Sequence, residues 1–167
     1  MRKGLLVGLI LALTSCGSRR SAAPVEQPYE AVSTPPVAIS LERTACFGRC
    51  PVYAISVSPE GVVRYEGKAN VKQIGTATAQ IPRERVEALL LELEGAGYFT
   101  FSNRYALSEP TCRRHSTDSP SAISAATFRG RTKRIEHDYG CGGVPGALTV
   151  MEKRIDEVLG SDRWTGR

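Results

Sequence analysis

The side chains best suited to chemistry in this chain are five cysteines and two histidines. Cys46 and Cys50 are separated by Phe47, Gly48 and Arg49 and are followed by Pro51. Oxidised, such a pair closes a short disulfide loop, with Gly48 permitting the tight turn. Reduced, two soft thiolates and one imidazole suit copper, and His137 or His115 would supply the imidazole. A thiol oxidoreductase would place Cys-x-x-Cys at a helix N-terminus, where the macrodipole lowers the thiol pKa. Neither condition is met, because the spacing is longer and residues 52–58 alternate with the period of a strand. His137 shares a predicted strand face with Ile135, the place of a core or hydrogen-bonded histidine, and His115 beside Arg113 and Arg114 reads as exposed. A structural disulfide is therefore the reading taken. A copper or redox set of Cys46, Cys50 and His137 is the alternative, and no cofactor is expected.

Cys16 belongs to different chemistry. Arg2 and Lys3 open the chain, residues 5–13 form a short apolar run, and Leu13-Thr14-Ser15-Cys16 is a small-residue junction. This is the order of parts in a secretory signal peptide. A spanning helix needs about 20 apolar residues, and the run ends before Thr14, Ser15, Arg19 and Arg20. The junction resembles the lipobox of bacterial lipoproteins, whose cysteine receives a diacylglyceryl group, adding palmitate-type acyl chains. Two or more chains anchor a protein stably, whereas one does so marginally. Gly17, where an aspartate would favour inner-membrane retention, points to the outer membrane and a periplasmic orientation.

With Cys16 assigned to lipid, Cys46, Cys50, Cys112 and Cys141 remain, an even set in an oxidising compartment. Three connectivities are open. The preferred one pairs Cys46 with Cys50 and Cys112 with Cys141, the second pair tying the long aperiodic stretch 102–121 to the Gly-rich turn at 139–143.

The expected organisation is a signal peptide over residues 1–15, a lipidated flexible tether over 16–36 and one domain over 37–167. The tether is rich in Ser, Ala and Pro without apolar periodicity. The formal charge is +5, and removing Arg2 and Lys3 with the leader leaves +3. That mild excess, outside the cytoplasm, argues against nucleic acid. The basic run at 129–134 reads as a solvated hairpin turn. The expected partners are the membrane, through the lipid, and an envelope protein or glycan.

Within the domain, residues 37–43 read as a strand, drawn as a possible edge. Tyr53, Ile55 and Val57 alternate, a Pro59-Glu60-Gly61 turn follows, and Val63 and Tyr65 continue the alternation. A third strand is expected over 71–81. Val86, Leu89, Leu90 and Leu93 mark a helix entered at Pro82, and Leu148, Met151, Ile155 and Val158 mark another entered at Pro145. Residues 122–128 and 132–139 form a second hairpin. The order β-β-β-α-β-β-α predicts an α+β fold, an antiparallel sheet of about five strands with both helices on one face. No nucleophile elbow or P-loop is present, and Ser116, His115 and Asp118 are too close in sequence for triad geometry. An enzyme is not the expectation.

The stretch Cys46-Phe47-Gly48-Arg49-Cys50-Pro51-Val52-Tyr53 resembles the Cys-Phe-Gly-x-Cys-Pro-x-Tyr signature of an uncharacterised domain family of bacterial secreted proteins and lipoproteins. The resemblance extends loosely through residues 61–67, through Thr117, Asp118 and Pro120, and through Ile155, Asp156 and Glu157 to Trp164. Cys112 and Cys141 lie outside the signature. The resemblance implies a module and no activity. The Cys-x3-Cys-Pro pattern also resembles the copper motif of thioredoxin-like copper-delivery proteins, in which a helix follows the motif.

Overall fold

A computed structural model describes residues 36–166. The expected signal peptide, Cys16 and the expected tether up to residue 35 lie outside the described residues. Among those described, no helix is long and apolar enough to cross a membrane.

The described residues form nine strands and three α-helices. In order they are β1 (Ile39–Arg43), β2 (Val52–Val57), β3 (Val62–Ala69), β4 (Gly75–Gln80), α1 (Arg83–Gly95), β5 (Arg104–Tyr105), β6 (Arg114–His115), β7 (Ser121–Phe128), β8 (Arg131–Asp138), β9 (Cys141–Gly142), α2 (Gly146–Leu159) and α3 (Asp162–Thr165). Seven strands make the main sheet, in the order β4-β3-β2-β1-β7-β8-β5, and β6 pairs with β9 in a separate ribbon. All pairs are antiparallel except β5 with β8. The fold is α+β as expected, with seven strands rather than about five.

Three differences from the sequence reading have local causes. The first strand is central, because β7 returns along its second edge and pairs Leu41 with Ser124 while β2 pairs Leu41 with Ile55. The third hairpin strand starts at Gly75, since residues 71–73 turn away, and Lys72 and Gln73 donate their backbone N–H groups to the carbonyls of Thr165 and Trp164. The stretch 102–121 is not without order: it contributes the two-residue strands β5 and β6, too short to show a period.

Turn chemistry sets the registers. At Gly61 (φ 89°) a Cβ would lie 2.0 Å from the carbonyl oxygen of Ile81, so only glycine fits. Arg129 (φ 50°) and Gly130 (φ 73°) form the two-residue link between Phe128 and Arg131, the twist a tight hairpin favours.

One face of the sheet carries the core. Ile39, Leu41, Ile55, Val57, Val63, Tyr65, Ala122, Ala126 and Ile135 meet Val86, Leu89 and Leu93 of α1 and Leu148, Met151 and Ile155 of α2 in one cluster. Trp164 of α3 closes one end by stacking on Tyr65, ring centroids 4.9 Å apart. α2 stops at Gly160, left-handed at φ 69°, which donates its N–H to the Asp156 carbonyl. The opposite sheet face has no element over it among the described residues.

Candidate functional site

Two regions gather polar side chains: a cluster where the strand ends meet α2, and the open face of the sheet.

The cluster begins at the signature loop. Cys46 and Cys50 lie at disulfide distance with their Cα atoms 5.7 Å apart, and so do Cys112 and Cys141 at 5.1 Å. The short loop is docked on the end of the long one, since Phe47 N–H donates to the Asp118 carbonyl (3.0 Å) and Thr44 N–H to the Ser121 carbonyl (3.0 Å). Phe47 itself points outward and is 89% exposed. Cys112 and Cys141 join the base of the β6–β9 ribbon, where His115 pairs with Cys141 in the ladder. His115 is half-buried, not free in solvent, and its Nε2 lies 2.8 Å from Asp138 Oδ2.

Beside the first loop, Tyr53 is turned onto the core face by its place in β2. Its hydroxyl donates to Asp156 Oδ1 (2.5 Å), on a half-buried position of α2 next to the apolar stripe. Arg43, the last residue of β1, donates from Nη2 (2.8 Å) and Nε (3.2 Å) to Asp156 Oδ2, and from Nη1 to the Tyr139 hydroxyl (2.5 Å). That hydroxyl donates in turn to Glu152 Oε2 (2.7 Å). Both Glu152 oxygens face His137 Nδ1, at 3.0 and 3.1 Å. A continuous chain of hydrogen bonds thus runs Tyr53–Asp156–Arg43–Tyr139–Glu152–His137. Its inner end is sealed: Glu152 is 0% exposed and His137 3%, with the Tyr139 ring stacked on the imidazole at 4.4 Å.

The electrostatics follow from burial and pairing. Burial, then the Asp156 carboxylate, push the Tyr53 phenol above its ordinary range. Burial pushes Tyr139 up to about 12, against the opposing Arg43 charge. Burial also works against the Arg43 guanidinium, but Asp156 and Tyr139 outweigh it and raise its pKa. Among the described residues no buried side-chain nitrogen or oxygen lacks a partner. The acids, the base and the phenols of the cluster therefore satisfy one another, which is what buried polar groups need to be tolerated. A cleft of about 340 Å³ opens over its outer end, between Cys50, Pro51, Pro120, Tyr139 and Lys153.

The copper alternative required Cys46, Cys50 and His137 in one place. Among the described residues no group of three or more His, Cys, Asp or Glu side chains is gathered as a metal site. His137 is instead committed to Glu152.

The sequence reading missed this cluster. Its signal was present in α2, where Glu152 interrupts the apolar stripe four residues after Leu148 and three before Ile155. A carboxylate on a core-facing stripe announces a buried partner. The basic run at 129–134 is partly spent as well. Arg129 and Arg131 both pair with Glu94 of α1, the first at 2.8 Å, and Arg131 also covers the Phe99 ring.

The open face is built from alternate residues of the same strands. Register aligns them in two cross-strand rows. One row reads Thr78, Arg64, Ser56, Ser40, Ala125, Arg134 from β4 to β8, and the adjacent one Thr76, Glu66, Ala54, Glu42, Ile123, Glu136. The three middle strands carry Ser56, Ala54, Ser40 and Ala125 together with Glu42 and Ile123, and long charged residues stand on β3 and β8. The result is a trough of about 740 Å³ whose floor is mostly Ser and Ala, interrupted by Glu42 and Ile123, between charged walls.

The family model of a domain of unknown function, DUF6438, matches residues 37–159. No curated protein matches the chain.

Proposed function

Since the chain belongs to the DUF6438 family, a domain of unknown function, its role has to be argued from its own geometry, and we propose that it is a non-enzymatic binding module of the bacterial cell envelope. In this reading Cys16 carries the lipid, the tether gives reach, and the open sheet face engages an envelope partner. The observation that carries the proposal is the asymmetry of the sheet. Two helices cover one face, while the other presents a trough whose floor holds Ser40, Ser56, Ala54 and Ala125 with Glu42 and Ile123. Antiparallel sheets with one wet face are ordinary, but ligand sites are concave, and here the concavity comes from small side chains placed between long ones.

The buried cluster supports the non-enzymatic part. Its carboxylates are occupied by Arg43, Tyr53, Tyr139 and His137. A general acid or base must instead reach a substrate proton. The cluster fixes how α2 sits across the strand ends and so holds the sheet that forms the trough.

Hydroxyl-radical footprinting tests the binding surface. The full-length protein is compared in native envelope vesicles and in detergent after purification. Protection confined to Ile123 and its open-face neighbours is expected, with Val150 and Leu91 on the helices equally labelled in both. Uniform labelling of the open face in both states would sink the proposal. Lipidation is tested separately by Cys16→Ala, which should release the protein from the membrane fraction; retention there would count against it.

A further inference from the structure

The two edges of the main sheet are finished differently. At the β8 edge, β5 pairs with Glu136 and His137, and Lys133 reaches over the rest, donating to the Phe101 carbonyl and to Asn103 Oδ1 (2.6 Å). At the other edge no strand lies beyond β4 among the described residues. Its sequence, Gly75-Thr76-Ala77-Thr78-Ala79-Gln80, holds no charge and no proline, and it pairs with β3 without a bulge. Edge strands are usually blunted by such devices, because an open row of N–H and C=O groups invites another strand. Which groups are open follows from the ladder. Ile81 donates its N–H to the Gly61 carbonyl, and Ser58 donates its own to that of Val62 (both 3.0 Å). By the alternation of an antiparallel pair, residues 75, 77 and 79 then turn their backbone groups toward β3, and Thr76, Thr78 and Gln80 turn theirs outward. No backbone hydrogen bond from a turn or loop reaches these three among the described residues.

This edge is complementary to itself. A two-fold axis normal to the sheet sets a second copy of β4 antiparallel to the first and keeps like faces on the same side. Centred on Thr78, the axis pairs Thr78 with Thr78 of the second copy, and Thr76 with its Gln80, each pair exchanging N–H···O bonds. Ala77 then faces Ala79 of the second copy on the other side of the sheet, and neither crowds the other. Opposed threonines are a favourable cross-strand pair, whereas opposed like charges are destabilising, and β4 has no charge to oppose. Arg64 and its copy stand three strand spacings apart, about 14 Å, beyond the screening length of about 10 Å. We propose that the β4 edge is a self-association surface, through which two copies of this chain join their sheets into one. An extended segment of another protein would use the same backbone groups. The second copy is favoured because its strand is already held extended by β3 at matching length, so little conformational entropy is lost. A single strand pair is a small contact, at the low end of specific interfaces, and the association is weak and reversible. It does not depend on what the open face binds, since that face stays uncovered in the pair.

Cross-linking of the purified full-length protein in detergent reads the register directly. Thr78→Cys should give a disulfide-linked dimer on mild oxidation, because residues of a hydrogen-bonded pair have Cα atoms about 5.5 Å apart, within the reach of a disulfide. Thr76→Cys and Gln80→Cys should each fail alone, since each lies about 14 Å from its own copy, and should cross-link when mixed. Sedimentation velocity gives a second readout without new thiols. The wild type should pass from monomer to dimer as it is concentrated, and Thr78→Lys, which sets two like charges opposite each other, should stay monomeric with its thermal stability unchanged. A wild type that is monomeric at every concentration overturns the proposal, as does a dimer that Thr78→Lys leaves intact. Thr76→Cys or Gln80→Cys alone cross-linking as fast as Thr78→Cys overturns the register and with it the two-fold edge. In intact cells, a Thr78→Cys adduct to a different protein with none to a second copy overturns self-association in favour of a strand supplied by that protein.

Discussion

The cluster beside the signature loop and the trough on the opposite sheet face use the same residue types in opposite ways. In the cluster, Arg43 spends three N–H groups on Asp156 and Tyr139, and Glu152 is enclosed by His137 and Tyr139. In the trough, Arg64, Arg134 and Glu66 are exposed, and none of them has an oppositely charged side chain within ion-pair distance among the described residues. Burial explains the first arrangement, since an unpaired charge inside would cost several kcal/mol. Nothing in the economy of folding requires the second. The cluster's polar groups are satisfied because burial requires it, whereas the exposed charges of the open face are under no such requirement.

Substitutions can break this contrast, and the largest effect should come from the sealed end. Glu152→Ala removes the partner of both His137 and Tyr139 and should destabilise by about 3–5 kcal/mol, the range for breaking a buried pair. Chemical denaturation of the full-length protein measures it. A loss below about 1 kcal/mol would mean the cluster is not structural. Cys112→Ala with Cys141→Ala should follow closely, at about 3–4 kcal/mol, because the bridge closes a loop spanning 29 positions. The same double replacement at Cys46 and Cys50, which closes a span of 4, should cost about 2 kcal/mol. Equal losses for the two bridges would refute the loop-length argument.

Alkaline titration sharpens the contrast through the phenols. Tyr53, Tyr98 and Tyr139 are raised chiefly by burial, the last two to about 12. A raised phenol binds its proton more tightly in the folded than in the unfolded chain. Its stabilisation is thus fully present below about pH 10 and is lost as pH climbs from there through about 12. Unfolding midpoints should be flat from pH 8 to 9.5 and fall between 10 and 12, and Tyr53→Phe should make that fall shallower. The smallest expected stability effect lies in the trough: Arg64→Gln and Arg134→Gln should shift stability by less than about 0.5 kcal/mol. A larger loss would show that these arginines serve the fold.

Periodicity made much of this architecture readable. Tyr53, Ile55 and Val57 assigned the inner face of β2, and the stripes at 86–93 and 148–158 assigned the inner faces of both helices. Position within the sheet was not readable, because the neighbours of β1 lie at residues 53–57 and 122–126. Two-residue strands such as β5 and β9 carry no period at all. The cluster depends on Tyr53 and Asp156, 103 residues apart, so only Glu152 on its apolar stripe hinted at it. The trough was hidden for another reason. Arg64 and Arg134 look like ordinary outward-facing residues until register places them in one row with Ser56 and Ser40 between.

The claim that the open face is the working surface is tested most directly by photo-cross-linking in living cells. A photoreactive residue placed at Ala54 or Ala125, on the trough floor, should form an adduct with an envelope component. One at Val150, 66% exposed on α2, should form none. Adducts at Val150 with none at Ala54 or Ala125 would contradict the account.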